Sequence, residues 1–183
     1  MTTPSTHERV QRVPSDWPVV HLEGEPPAWP GLAVDGLVRA PAAYDLAALA
    51  ALGAERRAIP LHCVWGWSRP DATWEGVAVS TLLEAVAVDG GTHVIFSSAS
   101  GTYSSCLPLA DAARGMLAWA RDGQELSPEA GGPLRFVTPP EYWAYKGVKW
   151  TARMSVTNRF VPGFWEARVA DPVGRIPPAV VLP

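Results

Sequence analysis

The chain has 183 residues, a net charge of −3, 48% hydrophobic residues and 18% charged ones. That is one domain's worth of chain with apolar material for a real core, not a disordered polymer, and it lacks the Lys/Arg stripe that a nucleic-acid binder carries. No apolar run approaches the roughly 20 residues of a membrane helix, and the opening MTTPSTHERVQRVPSDWP holds neither an apolar signal core nor a twin-arginine pair, so a cytoplasmic protein is expected.

Nineteen prolines and sixteen glycines argue against a helical bundle and for many short strands joined by fixed turns. Nine tryptophans are expected mainly in the core or in pocket walls, since indole is large and has one polar handle. The two cysteines, Cys63 and Cys106, are not expected to form a disulfide in a cytosolic chain of this size. With four scattered histidines they make no zinc pattern either.

Residues 1–16 are polar and are expected to be flexible, with a single domain over 17–183. Trp17-Pro18-Val19-Val20-His21 reads as a short extended segment and 23–30 as a loop. Residues 32–38 alternate around Asp35-Gly36 and read as a strand or hairpin. Leu46, Leu49 and Leu52 fall at helical spacing between Asp45 and Gly53, which predicts a short amphipathic helix. Residues 59–64 form an apolar run that reads as a buried strand. A second short helix is expected over 80–86, with Ser80 as its N-cap. Strands are expected over 92–98, 116–121, 134–138 and 150–157, and a short helix over 107–114. Asp122-Gly123 ends one strand and Pro139-Pro140 another. The regular βαβ spacing of a doubly wound sheet is missing, so the expected class is α+β, with mixed sheets and short interspersed helices.

The most informative stretch is IPLHCVWGWSRPDATWEGV, residues 59–77. Cys63 leaves a core strand into a turn-rich segment, a rigid position near a surface. That placement suits a metal ligand and equally suits an ordinary buried thiol. His62 points to the opposite strand face and reads as structural. Cys106 reads as a small core or rim residue. Asp71 with Glu75, and Asp122 with Glu125, lie in polar turns and read as surface charge. No nucleophile elbow and no phosphate-binding Gly-Lys-Ser/Thr loop is present.

His-Cys-Val-x-Gly-Trp-Ser at 62–68, followed by Trp74-x-Gly76-Val77, resembles the cofactor-cysteine segment of the sulfite oxidase-type molybdopterin oxidoreductases. The likeness runs from about Trp17 to about Glu166. It implies the sulfite oxidase molybdopterin-binding fold and oxygen-atom transfer at a molybdenum–molybdopterin, with Cys63 as the protein's ligand to the metal. Gly131-Gly132-Pro133-Leu134-Arg135 is similar to the family's Gly-Gly-Pro-hydrophobic-Arg segment, which makes Arg135 a pterin contact. Lys146-Gly147-Val148-Lys149-Trp150 matches the segment that lines the cofactor, which implies contacts from Gly147, Val148 and Lys149. By residue type alone Lys146 and Lys149 would read as solvated flank charges. Ser98 falls where the family has a small hydroxyl residue near the pterin, and His21 in the opening segment would sit close to the cofactor.

Three positions depart from the family pattern. Ala130 stands where Asn or His is usual, Ser100 where Asp is usual, and Trp65 where Thr is usual. Trp65 could narrow access to the metal, stack on the pterin or be core. These departures leave the substrate open between sulfite-like and sulfoxide-like molecules. They also keep a second expectation, a member of the same fold that has lost the metal and acts as a binding or scaffold protein. A separate electron donor or acceptor protein is expected, because no haem motif or flavin fingerprint is visible.

Overall fold

The computed structural model describes residues 11–12, 25–169 and 171–178. Along the chain the strands are β1 (Gln11–Arg12), β2 (Leu32–Gly36), β3 (Ala42–Tyr44), β4 (Ala54–Ala58), β5 (Leu61–Cys63), β6 (Trp67–Arg69), β7 (Thr73–Ala78), β8 (His93–Ser98), β9 (Ser104–Pro108), β10 (Met116–Arg121), β11 (Gln124–Glu125), β12 (Arg135–Val137) and β13 (Thr151–Thr157). The helices are α1 (Leu46–Gly53), α2 (Val79–Ala85) and α3 (Leu109–Ala112), with one 3-10 turn at Ala144–Lys146.

Three sheets form, and they make an α+β fold. The largest has the order β3-β2-β13-β8-β9, the second β11-β10-β7-β4 with β12 also on β10, and the third β1-β6-β5. The second sheet is the middle layer. Val77, Leu117 and Phe136 join the main core with Phe96, Met154, Leu49 and Leu82. On the other face Trp74, Met116, Ala118 and Val137 pack with Ile59, Leu61 and Trp67. A strand buried on both faces reads as a continuous apolar run, which is why Met116–Arg121 is legible as MLAWAR without alternation. Phe96 and Phe136 stack at 3.6 Å and join the large sheet to the middle one.

Local signals account for several boundaries. Asp45 caps α1, its carboxylate accepting the Ala48 N–H at 2.7 Å. Asp122 and Gly123 both adopt positive φ, 52° and 79°, as a two-residue hairpin turn demands. The α2 cap differs from expectation. Ala78, not Ser80, precedes the helix, and no side chain caps it. The N–H groups of Val79 and Ser80 donate instead to the carbonyls of Gly115 and Ala113, each at 3.2 Å, so tertiary backbone contacts replace the cap.

Several strands were not foreseen whole, among them β3 and the central β7. β4 carries Glu55, Arg56 and Arg57 on a sheet edge, where charge is tolerated. β6 spans residues read as a turn and pairs with β5 through His62↔Ser68 and Cys63↔Trp67. β9 takes Leu107 into the large sheet, so α3 starts only at Leu109. Gln11–Arg12 pair in parallel with Trp67–Ser68. Trp17 to His21 lie outside the described residues.

Asp111 ties α3 to the late part of the chain. It accepts the Tyr142 hydroxyl at 2.6 Å and the guanidinium groups of Arg114 and Arg175, each at 2.7 Å. Burial pushes its carboxyl up, but those three hydrogen bonds outweigh burial and hold it below the usual 3.8. A carboxyl depressed in the folded state binds its proton more readily once unfolded. Its stabilisation is therefore complete above about pH 4 and is lost as pH falls through the lower folded value. Asp111→Asn should cost about 1 kcal/mol at pH 7 and flatten the acid limb of stability against pH, read by urea unfolding from pH 7 to pH 2.

Candidate functional site

The Cys63 hairpin lies against the outer face of the middle sheet. β5 ends at Cys63, the chain turns through Val64, Trp65 and Gly66, and β6 returns. Gly66 takes φ +84° and donates its N–H to the Cys63 carbonyl at 3.1 Å, which closes the turn. Cys63 is a free, half-buried thiol. Burial pushes the thiol up from its ordinary value, and a Trp65 backbone hydrogen bond works weakly the other way. His62 takes the opposite face, as the alternation predicts. It is buried with Nδ1 2.6 Å from the Ser68 hydroxyl, and burial lowers its pKa. Trp65 is 49% exposed, which removes the core alternative for it.

Arg135 opens β12 on the same sheet face. Ala118 separates it in register from Gly76, in the order Gly76, Ala118, Arg135 across three strands. Its guanidinium lies 5.7 Å from the Trp74 ring centroid, and one Nη donates to the Ala130 carbonyl at 2.8 Å. The Nε is buried with no hydrogen-bond partner. Burial first, and the nearby Arg121 second, push this arginine down to about 10. A cationic side chain in that setting favours an anion beside it.

A second group gathers where β12, β13 and the 3-10 turn meet. Phe136 and Val148 exchange both backbone hydrogen bonds, at 2.9 and 3.1 Å, and Gly147 donates to the Ala144 carbonyl at 3.0 Å. The amides of Gly147 and Val148 are therefore engaged within the protein. A Cβ on Gly147 would stand 2.9 Å from the Phe136 carbonyl oxygen, so the glycine permits that pairing. Lys149 donates to the Glu129 carbonyl at 2.7 Å, and its ammonium lies 5.8 Å from the Trp150 ring. Gly131, at φ +100°, makes room for it, since a Cβ there would strike Lys149 Cγ at 2.7 Å.

Trp150 itself adopts φ 49°, rare for a bulky residue. It is held there from three sides: its N–H donates to Gly131, its carbonyl accepts from Ala99 at 2.8 Å, and its indole donates to Pro128 at 2.7 Å. Ser98 pairs with Thr151 beyond it, and its buried hydroxyl accepts from the Ser100 hydroxyl at 3.1 Å and the Ser100 N–H at 3.3 Å. Ser98, Arg135, Gly147, Val148 and Lys149 thus belong to one stitched region with the 128–131 loop. The Cys63 hairpin borders it through the His62↔Trp143 bridge. His21 lies outside the described residues.

One expectation is corrected. Lys146, read by type as a solvated flank charge, is fully buried and paired with Glu166. No local signal marks Lys146, because its partner is twenty positions away in sequence. The carboxylates read as surface charge behave so: Asp71 lies 3.5 Å from Arg69, and Glu75 3.8 Å from Arg56. Cys106 is a buried free thiol of the large sheet. Among the described residues, no group of three His, Cys, Asp or Glu side chains is placed to hold a metal ion. No helix among them is long and apolar enough to cross a membrane.

In this layered α+β fold the cysteine hairpin packs on the sheet face that also carries Arg135, a half-buried arginine with no acidic partner among the described residues, and that arrangement suits an anionic ligand. Residues 19–165 match the family described as the oxidoreductase molybdopterin binding domain. The chain is similar to the Bacillus subtilis (strain 168) protein named uncharacterized oxidoreductase YuiH, with 34% identity over 163 residues, 85% of this chain and 81% of that one. It is also 31% identical to the protein-methionine-sulfoxide reductase catalytic subunit MsrP of Gluconobacter oxydans (strain 621H), over 78% of this chain and 52% of that one. Among solved structures, the sulfane dehydrogenase SoxCD from Paracoccus pantotrophus shares the fold, with a TM-score of 0.63, 21% identity and coverage of 70% of this chain and 38% of that one. The chain belongs to the oxidoreductase molybdopterin-binding domain family and is an enzyme of that class. It spans about half the length of the sulfoxide reductase subunit it matches.

Proposed function

We propose that this domain holds a molybdenum–molybdopterin through Cys63 and catalyses oxygen-atom transfer on a small sulfite- or sulfoxide-like substrate. The observation that carries the reading is Arg135, a half-buried arginine whose sealed Nε has no partner and which has no carboxylate among the groups that shift it. An anionic pterin edge or phosphate would fill that vacancy in charge, and a planar guanidinium can grip either one. The cofactor, when bound, supplies a metal able to exchange an oxygen atom with substrate and electrons with a redox partner.

The chain's own residues do the rest. Cys63 offers a soft thiolate from a hairpin whose turn is closed by backbone, so the sulfur is fixed in direction. Binding as a thiolate would require loss of a proton that burial now retains, for which a cationic metal centre would provide the driving force. Lys149 adds a second positive charge, oriented by the Glu129 carbonyl and the Gly131 gap. Ser98 offers a hydroxyl, Gly147 and Val148 a close backbone wall, and His21 a further contact. A separate electron-transfer protein and a cytoplasmic site of action complete the proposal; two free thiols suit a reducing compartment.

The test is metal content. Protein made in a host that synthesises the cofactor should carry molybdenum and show thiolate-to-metal charge-transfer absorption. Cys63→Ser should fold with stability changed by less than about 1 kcal/mol, because the side chain is only half-buried. Its activity should fall more than about a hundredfold, beyond the loss usual for outer-shell partners. Wild-type protein without molybdenum or pterin would instead favour the cofactor-free scaffold.

A further inference from the structure

The Lys146–Glu166 pair is the most deeply buried charge in the described molecule, and the chemistry above makes no use of it. Lys146 ends the 3-10 turn and immediately precedes Gly147-Val148-Lys149. Its ammonium donates to the Glu166 carboxylate and, at 2.7 Å, to the Cys106 carbonyl of β9. The Glu166 carboxylate also accepts the Ser105 hydroxyl at 2.8 Å, the Cys106 N–H at 2.9 Å, and the Gly163 N–H. Oε1 thus takes three donors and Oε2 one, and the pair is satisfied in the way that makes a buried ion pair tolerable.

The segment that supplies Glu166 straps the turn from outside. Phe164 donates its N–H to Ser104 at 3.0 Å, Trp143 donates to Gly174 at 3.0 Å, and Ile176 donates to Glu141 at 2.8 Å. Gly163 and Gly174 allow this closeness. A Cβ on Gly163 would stand 2.0 Å from the Ser104 carbonyl oxygen, and one on Gly174 would stand 2.7 Å from Lys146 Cδ. The Tyr103 hydroxyl donates to the Tyr145 carbonyl at 2.5 Å and fixes the turn from β9. The loop that carries Lys149 is therefore clamped between β12 on one side and the 163–176 strap on the other.

We infer that Lys146 and Glu166 are positioning residues of the cofactor site: the buried pair sets the Gly147–Lys149 loop, so the strap determines how tightly molybdopterin is held. This rests on the cofactor reading given above. Neither side chain touches the chelate; both act through the backbone that Lys149 stands on.

Lys146→Met is the variant to make. It leaves the Glu166 carboxylate with its three other donors, so folding is expected. If it does not accumulate, Lys146→Gln, whose amide can still donate to Cys106, replaces it. Leu49→Ala, in a helix that takes no part in the loop, is the control for lost stability. Two readouts separate positioning from plain stability. The first is the rate of molybdopterin release, followed by fluorescence of the freed, oxidised pterin. The second is amide hydrogen exchange at Gly147 and Val148 in cofactor-free protein.

Lys146→Met should raise release about tenfold, the scale typical of outer-shell partners. It should also speed exchange at those two amides, with the β8–β13 pairing unchanged. Leu49→Ala should do neither selectively. The inference is overturned if Lys146→Met leaves both unchanged, or changes them only in step with melting temperature as the control does. Wild-type protein that takes up no molybdopterin overturns the cofactor reading instead, and exchange in Lys146→Met then still decides whether the pair holds the loop.

Discussion

Arg135→Met should make the cofactor-free protein more stable while weakening its hold on molybdopterin. The two effects have one cause. In the cofactor-free protein the guanidinium lies by the Trp74 ring with its Nε sealed from solvent and unpaired, and Arg121 is close enough to repel it. Burying charge without a partner costs free energy that an unbranched apolar side chain does not incur. The lost bond to Ala130 and the lost contact with the indole ring offset part of the gain. The expected net change is a stabilisation of about 1 kcal/mol, or a melting temperature higher by roughly 2–4 °C in calorimetry of the apoprotein. With cofactor present the sign reverses. Removing one partner of a buried charged contact typically costs about 2–5 kcal/mol of binding, so pterin retained after gel filtration should drop sharply. If Arg135 is an ordinary structural residue, the substitution destabilises both forms alike.

Gly76→Ala should be the most damaging single-methyl change in the Trp74-x-Gly76-Val77 motif. A Cβ at Gly76 would lie 2.1 Å from the Leu117 carbonyl oxygen and 2.7 Å from the Ala118 Cα, both backbone atoms of β10. No rotamer relieves a clash with backbone, so β7 and β10 must separate. Overpacking of this kind costs about 3 kcal/mol, a drop of roughly 6–12 °C in melting temperature for a domain of this size. The displaced strand is the one that pairs with β12, and Ala118 faces Arg135 in register. Cofactor uptake should therefore fall further than stability alone explains, measured as pterin bound per folded protein at a temperature where the variant is fully folded. A melting temperature within 2 °C of wild type would show that the sheet tolerates the methyl.

The two substitutions bear on how the motif works. Glycine at 76 lets β7 lie against the β10 backbone, and β10 pairs on its other side with the strand that carries Arg135. A residue with no side chain thus positions a residue with a charged one, across an intervening strand.

How much of this was visible beforehand depends on the range of the forces involved. The α1 cap, the Asp122-Gly123 hairpin and the β10 run are set by neighbours within a few residues, and each is legible in the residue order. The family likeness likewise rests on short runs, and the family match over 19–165 agrees with it. The misread elements answer to distant partners. Ser80 does not cap α2 because carbonyls thirty-odd residues on satisfy the helix start. Residues 67–69 look like a turn until β5 pairs with them.

The residue order alone determined the class of fold, the presence of a lone cysteine on a strand-to-turn junction, and the positions of the basic and glycine residues around it, because periodicity, turn chemistry and motif spacing are local properties. Only the tertiary structure decided which cations are solvated and which are buried. Lys146 and Lys149 differ by three positions and look alike in sequence, yet one is sealed against Glu166 and the other reaches toward the 129–131 loop. The physical reason is that a charge's surroundings are built by segments far away in the chain, here β9 and the 163–176 strap, and burial, pairing and pKa all follow from those surroundings.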